Sequence, residues 1–351
     1  MSKIVIITDA WEPQTNGVVR TYQSTVKRLR EKGYEVDVIE ASMFKSLPLP
    51  HYKEIEVALP GHNFLKKYEN EKDIAFHIAT EGSLGVAARI LLSKMGWDYT
   101  SSFCTLFPDY LKKYLFIPTR FTWKYMSWLH NGANQTMVST SRMKELLEKN
   151  GIKNIKMWAR GVDTSEFYPL ENKSELQNDK PIALYVGRVS KEKNIEAFLD
   201  CKNEVQKVVV GDGPYLEYLK NKYPDVIFTG KQKGENLRKA YQMADVFVFP
   251  SKSDTFGLVM VEALACGVPI AGYPIQGPLD ILGGSEDVGT CSELGCLDNN
   301  LELAIDLALV YGKSDSCIKR AKDFNWDNCT KLFLSNLIFN ESLNESKIPV
   351  Y

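Results

Sequence analysis

Two acids, Asp254 and Glu262, stand eight positions apart around a small-residue turn that opens an apolar run in SKSDTFGLVMVEALACGVPIAGYP, residues 251–274. Asp254 precedes the expected helix, beside Thr255, Phe256, Gly257 and Leu258, where the first backbone N–H groups have no intrahelical partner. Glu262 lies further in, on a run (Val259, Met260, Val261, Ala263, Leu264) otherwise fit for burial. Free N–H groups and the positive end of the helix dipole make an anion site. An acid beside such a site would repel a phosphate, so its chemistry is to accept hydrogen bonds from hydroxyls. Phosphate cradled by backbone, with hydroxyls held by flanking acids, describes a nucleotide-sugar. An N-cap Asp254 and a half-buried Glu262 in an ordinary strand-to-helix unit fit the same spacing.

Three further clusters carry charge or glycine. In DAWEPQTNGVVRT, residues 9–21, Asn16-Gly17 permits a tight turn and close backbone approach ahead of a helix; an ordinary strand-to-helix loop reads the same way. GRVSKEKN, residues 187–194, puts Arg188 and Lys193 in one loop. Two cations at a strand end suit a diphosphate, and they equally suit a solvated charged loop. GDGP, residues 211–214, is a turn without GxGxxG spacing. No Asp-x-Asp occurs, and the four histidines and seven cysteines do not cluster. The expectation is therefore a metal-independent site with no cofactor; where Arg188 and Lys193 meet a diphosphate, they supply the positive charge a divalent ion would bring.

Positioning these groups is the work of alternating strands and helices. Strands are expected at Ile4–Ile7, Val36–Ile39, Ala75–Ile78, Tyr99–Phe103 and Thr136–Ser139. The intervening helices are Gly17–Lys32, Gly85–Lys94, a long Asp109–His130 and Ser141–Asn150. A polar segment, Leu170–Lys180, breaks the rhythm. It restarts with strands Ile182–Val186, Val208–Val210, Ile227–Phe228 and Val246–Phe249, and helices Ile195–Cys201, Tyr215–Lys222 and Asn236–Met243. A final helical stretch, Trp326–Asn344, is long enough to cross back. The pattern implies an α/β protein of two doubly wound, Rossmann-like domains facing across a cleft. The expected boundaries are 1–170, 171–325 and a returning helix at 326–351.

A length of 351 residues suits two such domains, and 44% hydrophobic with 25% charged residues is ordinary for a globular chain. The net charge of −1 gives no field that favours nucleic acid. The halves differ: residues 1–170 carry 23 Lys/Arg against 18 Asp/Glu, the remainder 20 against 26. An anionic partner such as a membrane surface would meet the N-terminal half. Seven cysteines without a CxxC pair point to reduced thiols in a cytoplasmic compartment. The opening MSKIVIITDAW reads as a first strand rather than a signal peptide, and no run approaches a membrane span. The expectation is a soluble or peripheral protein on the inner face of the cytoplasmic membrane.

Taken in order, NGVVRT (16–21), RGVDTSEF (160–167), YVGRVSKEKN (185–194), VGDGP (210–214) and SDTFGLVMVEALACGVP (253–269) resemble glycosyltransferase family 4 of the GT-B fold. TEGSLGVAAR (80–89), FPDYLKKY (107–114) and FNWDNCTKLFL (324–334) are similar to the branch with sulfolipid synthase and bacterial glucosyl- and mannosyl-lipid synthases. The resemblance implies that Asp254 contacts donor-sugar hydroxyls and Glu262 holds the ribose. It implies that Arg188 and Lys193 bind the diphosphate and stabilise the leaving group, and that Gly17 lets backbone approach the phosphate or acceptor. The donor-binding segment would comprise Asp254, Thr255, Phe256, Gly257 and Leu258. The reaction implied is hexose transfer from a nucleoside diphosphate sugar, with retention, in which stabilisation of the departing diphosphate is a major term.

This chain departs from that pattern at Cys104, within SSFCTLFPDY, where the resembling sequences carry a His that contacts sugar or acceptor. A thiol donates weakly and is no imidazole; His130 and His77 are the nearest substitutes in sequence. Asp at 254 is one methylene shorter than the commoner Glu. Between Tyr110 and His130, Lys112, Lys113, Arg120 and Lys124 alternate with Tyr114, Phe116, Phe121, Trp123, Tyr125 and Trp128. Such interleaving suits a membrane interface, or an aromatic core face with solvated cations. The expected partners are a nucleotide-sugar donor (UDP-glucose or GDP-mannose) and a lipid acceptor such as diacylglycerol. A soluble hexosyltransferase in polysaccharide synthesis, and a non-catalytic nucleotide-sugar-binding protein, are the alternatives.

Overall fold

The structure, a computed structural model, describes the chain apart from residues 1, 15, 50–51, 107, 109–116, 172, 174–178, 253, 255, 285–288 and 342–351. Of residues 48, 49 and 52–56 only the backbone is described. The chain divides into two compact units, Met1–Ala159 with Asp327–Tyr351, and Arg160–Trp326.

In the first unit, β1 (Lys3–Thr8), β2 (Glu35–Glu40), β5 (Ile74–Ile78), β6 (Tyr99–Ser102), β7 (Gln135–Val138) and β8 (Ile155–Met157) form a parallel sheet. Its order is β2-β1-β5-β6-β7-β8. An antiparallel pair, β3 (Ser46–Leu49) and β4 (Tyr52–Ala58), stands outside it. Successive side chains of a strand face opposite ways, so β1 feeds two cores: Val5 and Ile7 join one cluster, Ile4 and Ile6 the other. The helix Gly17–Glu31 follows β1 and is capped by Asn16, whose side chain accepts from Val19 N–H at 3.0 Å. Val19, Tyr22, Val26 and Leu29 repeat at helical spacing and are its buried face.

The second unit contains β9 (Ile182–Val186), β10 (Gln206–Val210), β11 (Ile227–Gly230), β12 (Val246–Phe249), β13 (Ile270–Gly272), β14 (Thr290–Ser292) and β15 (Gly295–Leu297). Their order is β11-β10-β9-β12-β13-β15-β14, parallel except for the β14–β15 hairpin. Here too both faces are covered, Leu184 and Val186 lying in one core and Ala183 and Tyr185 in the other. Each unit is therefore a Rossmann-like α/β domain, as the alternation of apolar runs implied.

Three expectations are corrected. The helix expected over Asp109–His130 occupies Thr119–His130; Ile117 and Pro118 are not helical, since proline pushes the residue before it out of helical geometry, and 109–116 lie outside the described residues. The last helix ends at Asn336 rather than Asn344, because Phe339–Asn340 pairs antiparallel with β5. The thiols are not all reduced: Cys291 and Cys296 face each other in the β14–β15 register and form a disulfide, while Cys104, Cys201, Cys266, Cys317 and Cys329 are free. A hairpin short enough to bring both cysteines opposite one another overrides the argument from the missing CxxC pair.

Candidate functional site

The second sheet reverses direction beside β9: β10 and β11 extend to one side, β12 and β13 to the other. Loops leaving β9 and β12 therefore diverge, which opens a crevice beyond their carboxyl ends where ligands of such sheets bind. The β9 loop carries Arg188 and Lys193; the β12 loop carries Asp254. Lys193 Nζ lies 2.8 and 2.9 Å from the two Asp254 oxygens. Asn194, left-handed at φ 54°, turns the chain into the helix Ile195–Leu199 and donates to the Pro250 carbonyl at 3.0 Å, tying the two loops together.

Backbone hydrogen bonds and close packing fix the path of the β9 loop. Gly187 N–H donates to Val210 carbonyl at 3.0 Å and Val189 N–H to Asp212 carbonyl at 2.9 Å. A Cβ on Gly213 would meet the Val189 carbonyl at 2.3 Å, so the GDG turn can lie against this loop only with glycine at 213. Tyr185, fully packed beneath, donates its hydroxyl to the Arg188 carbonyl at 2.9 Å. Burial, with the nearby charges of Asp254 and Glu192, pushes that phenol well up, so it remains a donor.

Electrostatics within the pair are decisive. Burial would raise the Asp254 carboxyl, yet the Lys193 charge and its hydrogen bonds, with a smaller contribution from Ser251, hold it below its ordinary range. Asp254 is thus a carboxylate. It can accept at more positions than Lys193 fills, and Lys193 has a third N–H to give.

Beyond Asp254, Phe256 is buried against Phe324 with ring centroids 5.7 Å apart. Gly257, at φ 90°, starts the helix Leu258–Ala265, whose first turn has no side-chain cap. Glu262 sits on that helix, 6% exposed, and its Oε2 accepts from the Tyr241 hydroxyl at 2.8 Å. Thr255, expected in the same segment, lies outside the described residues. Asn194 and Tyr241 were not anticipated. An asparagine between a charged loop and a helix is a signal for a left-handed turn, whereas nothing in the sequence pairs Tyr241 with Glu262.

In the first unit, Gly17 opens the helix Gly17–Glu31, and a Cβ there would meet nothing within 4 Å. Cys104 follows β6 and is half-buried, its Sγ 3.5 Å from the Ser102 hydroxyl. Ser102 hydrogen bonds with Tyr22 and lies 3.2 Å from His77 Nε2, and His77 Nδ1 lies 2.8 Å from Thr100. His77 is entirely buried beside Thr100 and Ser102, and His130 is 1% exposed beside Ser101.

On the helix Thr119–His130, Trp123 stacks on Phe103 and Tyr125 on Trp128, while Phe121 and Trp128 remain 49% and 42% exposed. Arg120 lies 4.5 Å over Phe121, and Arg89 3.8 Å over Trp128. Thr119, Arg120, Trp123, Lys124, Ser127 and Asn150 line a surface depression here; none of the residues singled out for donor chemistry borders it. Among the described residues no helix is long and apolar enough to cross a membrane.

Residues 15–166 match Glycosyltransferase Family 4 and residues 169–323 match Glycosyl transferases group 1. The chain is 29% identical to a GDP-mannose-dependent alpha-mannosyltransferase of Corynebacterium glutamicum, over 80% of this chain and 74% of that protein. It is 26% identical to an alpha-monoglucosyldiacylglycerol synthase of Streptococcus pneumoniae, over 77% and 71%. Among solved structures, sucrose-phosphate synthase from Thermosynechococcus elongatus is 20% identical with TM-score 0.74, covering 95% of this chain and 98% of that one. Anabaena Alr3699/HepE, in complex with UDP and glucose, is 15% identical with TM-score 0.68, covering 95% and 99%. With two Rossmann-like domains in the order of the GT-B class and a family match to each half, this chain belongs to the glycosyltransferases of the family 4 and group 1 kind.

Proposed function

We propose that the protein is a retaining, metal-independent hexosyltransferase that moves a hexose from a nucleoside diphosphate sugar, UDP-glucose or GDP-mannose, to a membrane lipid such as diacylglycerol. The observation that carries this reading is the Lys193–Asp254 pair at the switch point of the second sheet, with Glu262 on the helix that follows. Lys193 and Arg188 take the diphosphate, and its departure is eased by their charge. Asp254 accepts from sugar hydroxyls and Glu262 from the ribose; Phe256, Gly257 and Leu258 bring the uncapped helix start to the donor. Gly17, where nothing within the protein crowds a Cβ, leaves room for substrate to approach backbone. Relatives named for GDP-mannose and for glucosyldiacylglycerol, and a neighbour solved with UDP and glucose, support the donor class and the lipid acceptor.

Cys104 favours one competing reading, a protein that binds nucleotide sugars without transfer, since its thiol hydrogen bonds to Ser102 where the resembling sequences carry an imidazole. Mass spectrometry of lipid products, made with each nucleotide sugar and diacylglycerol vesicles, separates the two. A glycolipid product that disappears in Lys193→Ala and Glu262→Ala supports transfer; donor binding without product supports the binding protein.

A further inference from the structure

The sheet of the first unit also has a switch point. β2 lies outside β1 while β6, β7 and β8 extend beyond β5, so the loops after β1 and β5 diverge. Two acids stand there, Asp9 directly after β1 and Glu81 three residues past β5. Asp9 is spent on structure. Its Oδ2 accepts from the Thr80 hydroxyl at 2.8 Å, and its Oδ1 from Leu84 N–H at 2.9 Å and the Ser83 hydroxyl at 3.2 Å. A Cβ on Gly82 would come within 2.4 Å of the Asp9 carboxyl carbon, so this glycine lets the carboxylate reach over the helix start.

Glu81 is different. It is 5% exposed, and its Oε1 is enclosed without a hydrogen-bond partner. The group facing it is His130 Nε2, equally enclosed and without a hydrogen-bond partner, at 3.6 Å, which is ion-pair range for a protonated imidazole but longer than a hydrogen bond. The imidazole is fixed from behind. Its Nδ1 lies 3.0 Å from Ser101 Oγ on β6, and Ser101 lies 3.1 Å from Thr136 on β7. Tyr125 donates its hydroxyl to the Glu81 carbonyl. Backbone and imidazole thus hold a carboxylate at the switch point with hydrogen-bonding capacity unspent. Leaving buried polar atoms without hydrogen bonds is costly, and a scaffold gains nothing from it.

We infer that Glu81 is the carboxylate that receives the acceptor's hydroxyls, with His130 as its positioning residue; the inference rests on the transferase reading above. A carboxylate accepts hydrogen bonds and repels anions, so the acceptor it selects presents a glycerol or sugar hydroxyl rather than a phosphate. Such a hydroxyl comes from diacylglycerol in a membrane or from a soluble polyol.

The experiment compares wild type, Glu81→Gln and His130→Gln. The donors are UDP-glucose and GDP-mannose, and the acceptors are diacylglycerol in mixed vesicles in one arm and glycerol or glucose in the other. Glu81→Gln keeps the shape and removes the charge. The acceptor KM rises roughly tenfold to a hundredfold, as expected for losing a hydrogen bond to a charged group. Donor affinity and donor hydrolysis without acceptor stay unchanged. His130→Gln gives a smaller rise with the same split, and the arm in which KM moves identifies the source of the hydroxyl. An unchanged acceptor KM overturns the inference, and so does an equal fall in transfer and donor hydrolysis. Wild-type protein that binds no nucleotide sugar overturns the transferase reading itself, which is a distinguishable failure.

Discussion

Lys193 and Asp254 neutralise one another, and each keeps capacity for a ligand. The ammonium has three donors and the carboxylate about four acceptor positions, of which the contacts at 2.8 and 2.9 Å use two on each side. A diphosphate can therefore join Lys193 without breaking the pair. Lys193→Ala is expected to lower kcat by about 10²–10³, the range for removing one preorganised donor from a departing anion, as steady-state transfer rates would show. It also strands Asp254. Because Lys193 holds the Asp254 carboxyl below its ordinary value near 3.8, the stabilisation is fully present above that pH and is lost as pH falls through the lowered value. Urea melts should show the gap between wild type and Lys193→Met widest above pH 3.8 and narrowing below it. Tyr241→Phe removes the donor to Glu262 and should cost about 1–2 kcal/mol in the same melts, with a raised donor KM and an unchanged acceptor KM.

Loops and helix starts carry contrasting predictions for two glycines. Gly257 adopts φ 90°, and a Cβ there would meet Met260 Cε at 2.6 Å, so Gly257→Ala should destabilise by roughly 1–2 kcal/mol in thermal or denaturant melts. Gly17 meets nothing within 4 Å; Gly17→Ala should leave stability intact while turnover falls, a split that a structural role would not produce. The same elements show what the sequence made legible. Strands buried on both faces, such as Ile182–Val186, read directly as apolar runs, and Asn16 announced its helix. The three-residue strands Ile155–Met157 and Ile270–Gly272 were missed because pairing partners, not local pattern, create so short an element. Trp326 onward reads as one helix because its apolar spacing persists past Asn336, where pairing of Phe339–Asn340 with β5 wins instead. At the site, charged residues in loops were visible, and Asn194 ahead of its helix carried a turn signal; Tyr241 and the Glu81–His130 contact depend on elements distant in sequence and leave no local trace.

Across the whole chain, the excess of cations in residues 1–170 coincides with exposed Phe121 and Trp128 beside Arg120 and Arg89. Co-sedimentation with anionic vesicles is expected at low salt, weakening as salt screens the surface, and weakening further in a Phe121→Ser, Trp128→Ser protein. Wild type that stays in the supernatant at low salt removes the membrane from the account. The donor claim is independent of this and is tested most directly by calorimetry with UDP-, GDP- and ADP-sugars. One donor class should bind wild type, and its binding should weaken strongly in Glu262→Ala and Lys193→Ala while both variants keep a cooperative melt. Absence of binding to every nucleotide sugar, or equal binding by wild type and both variants, would contradict the site described here.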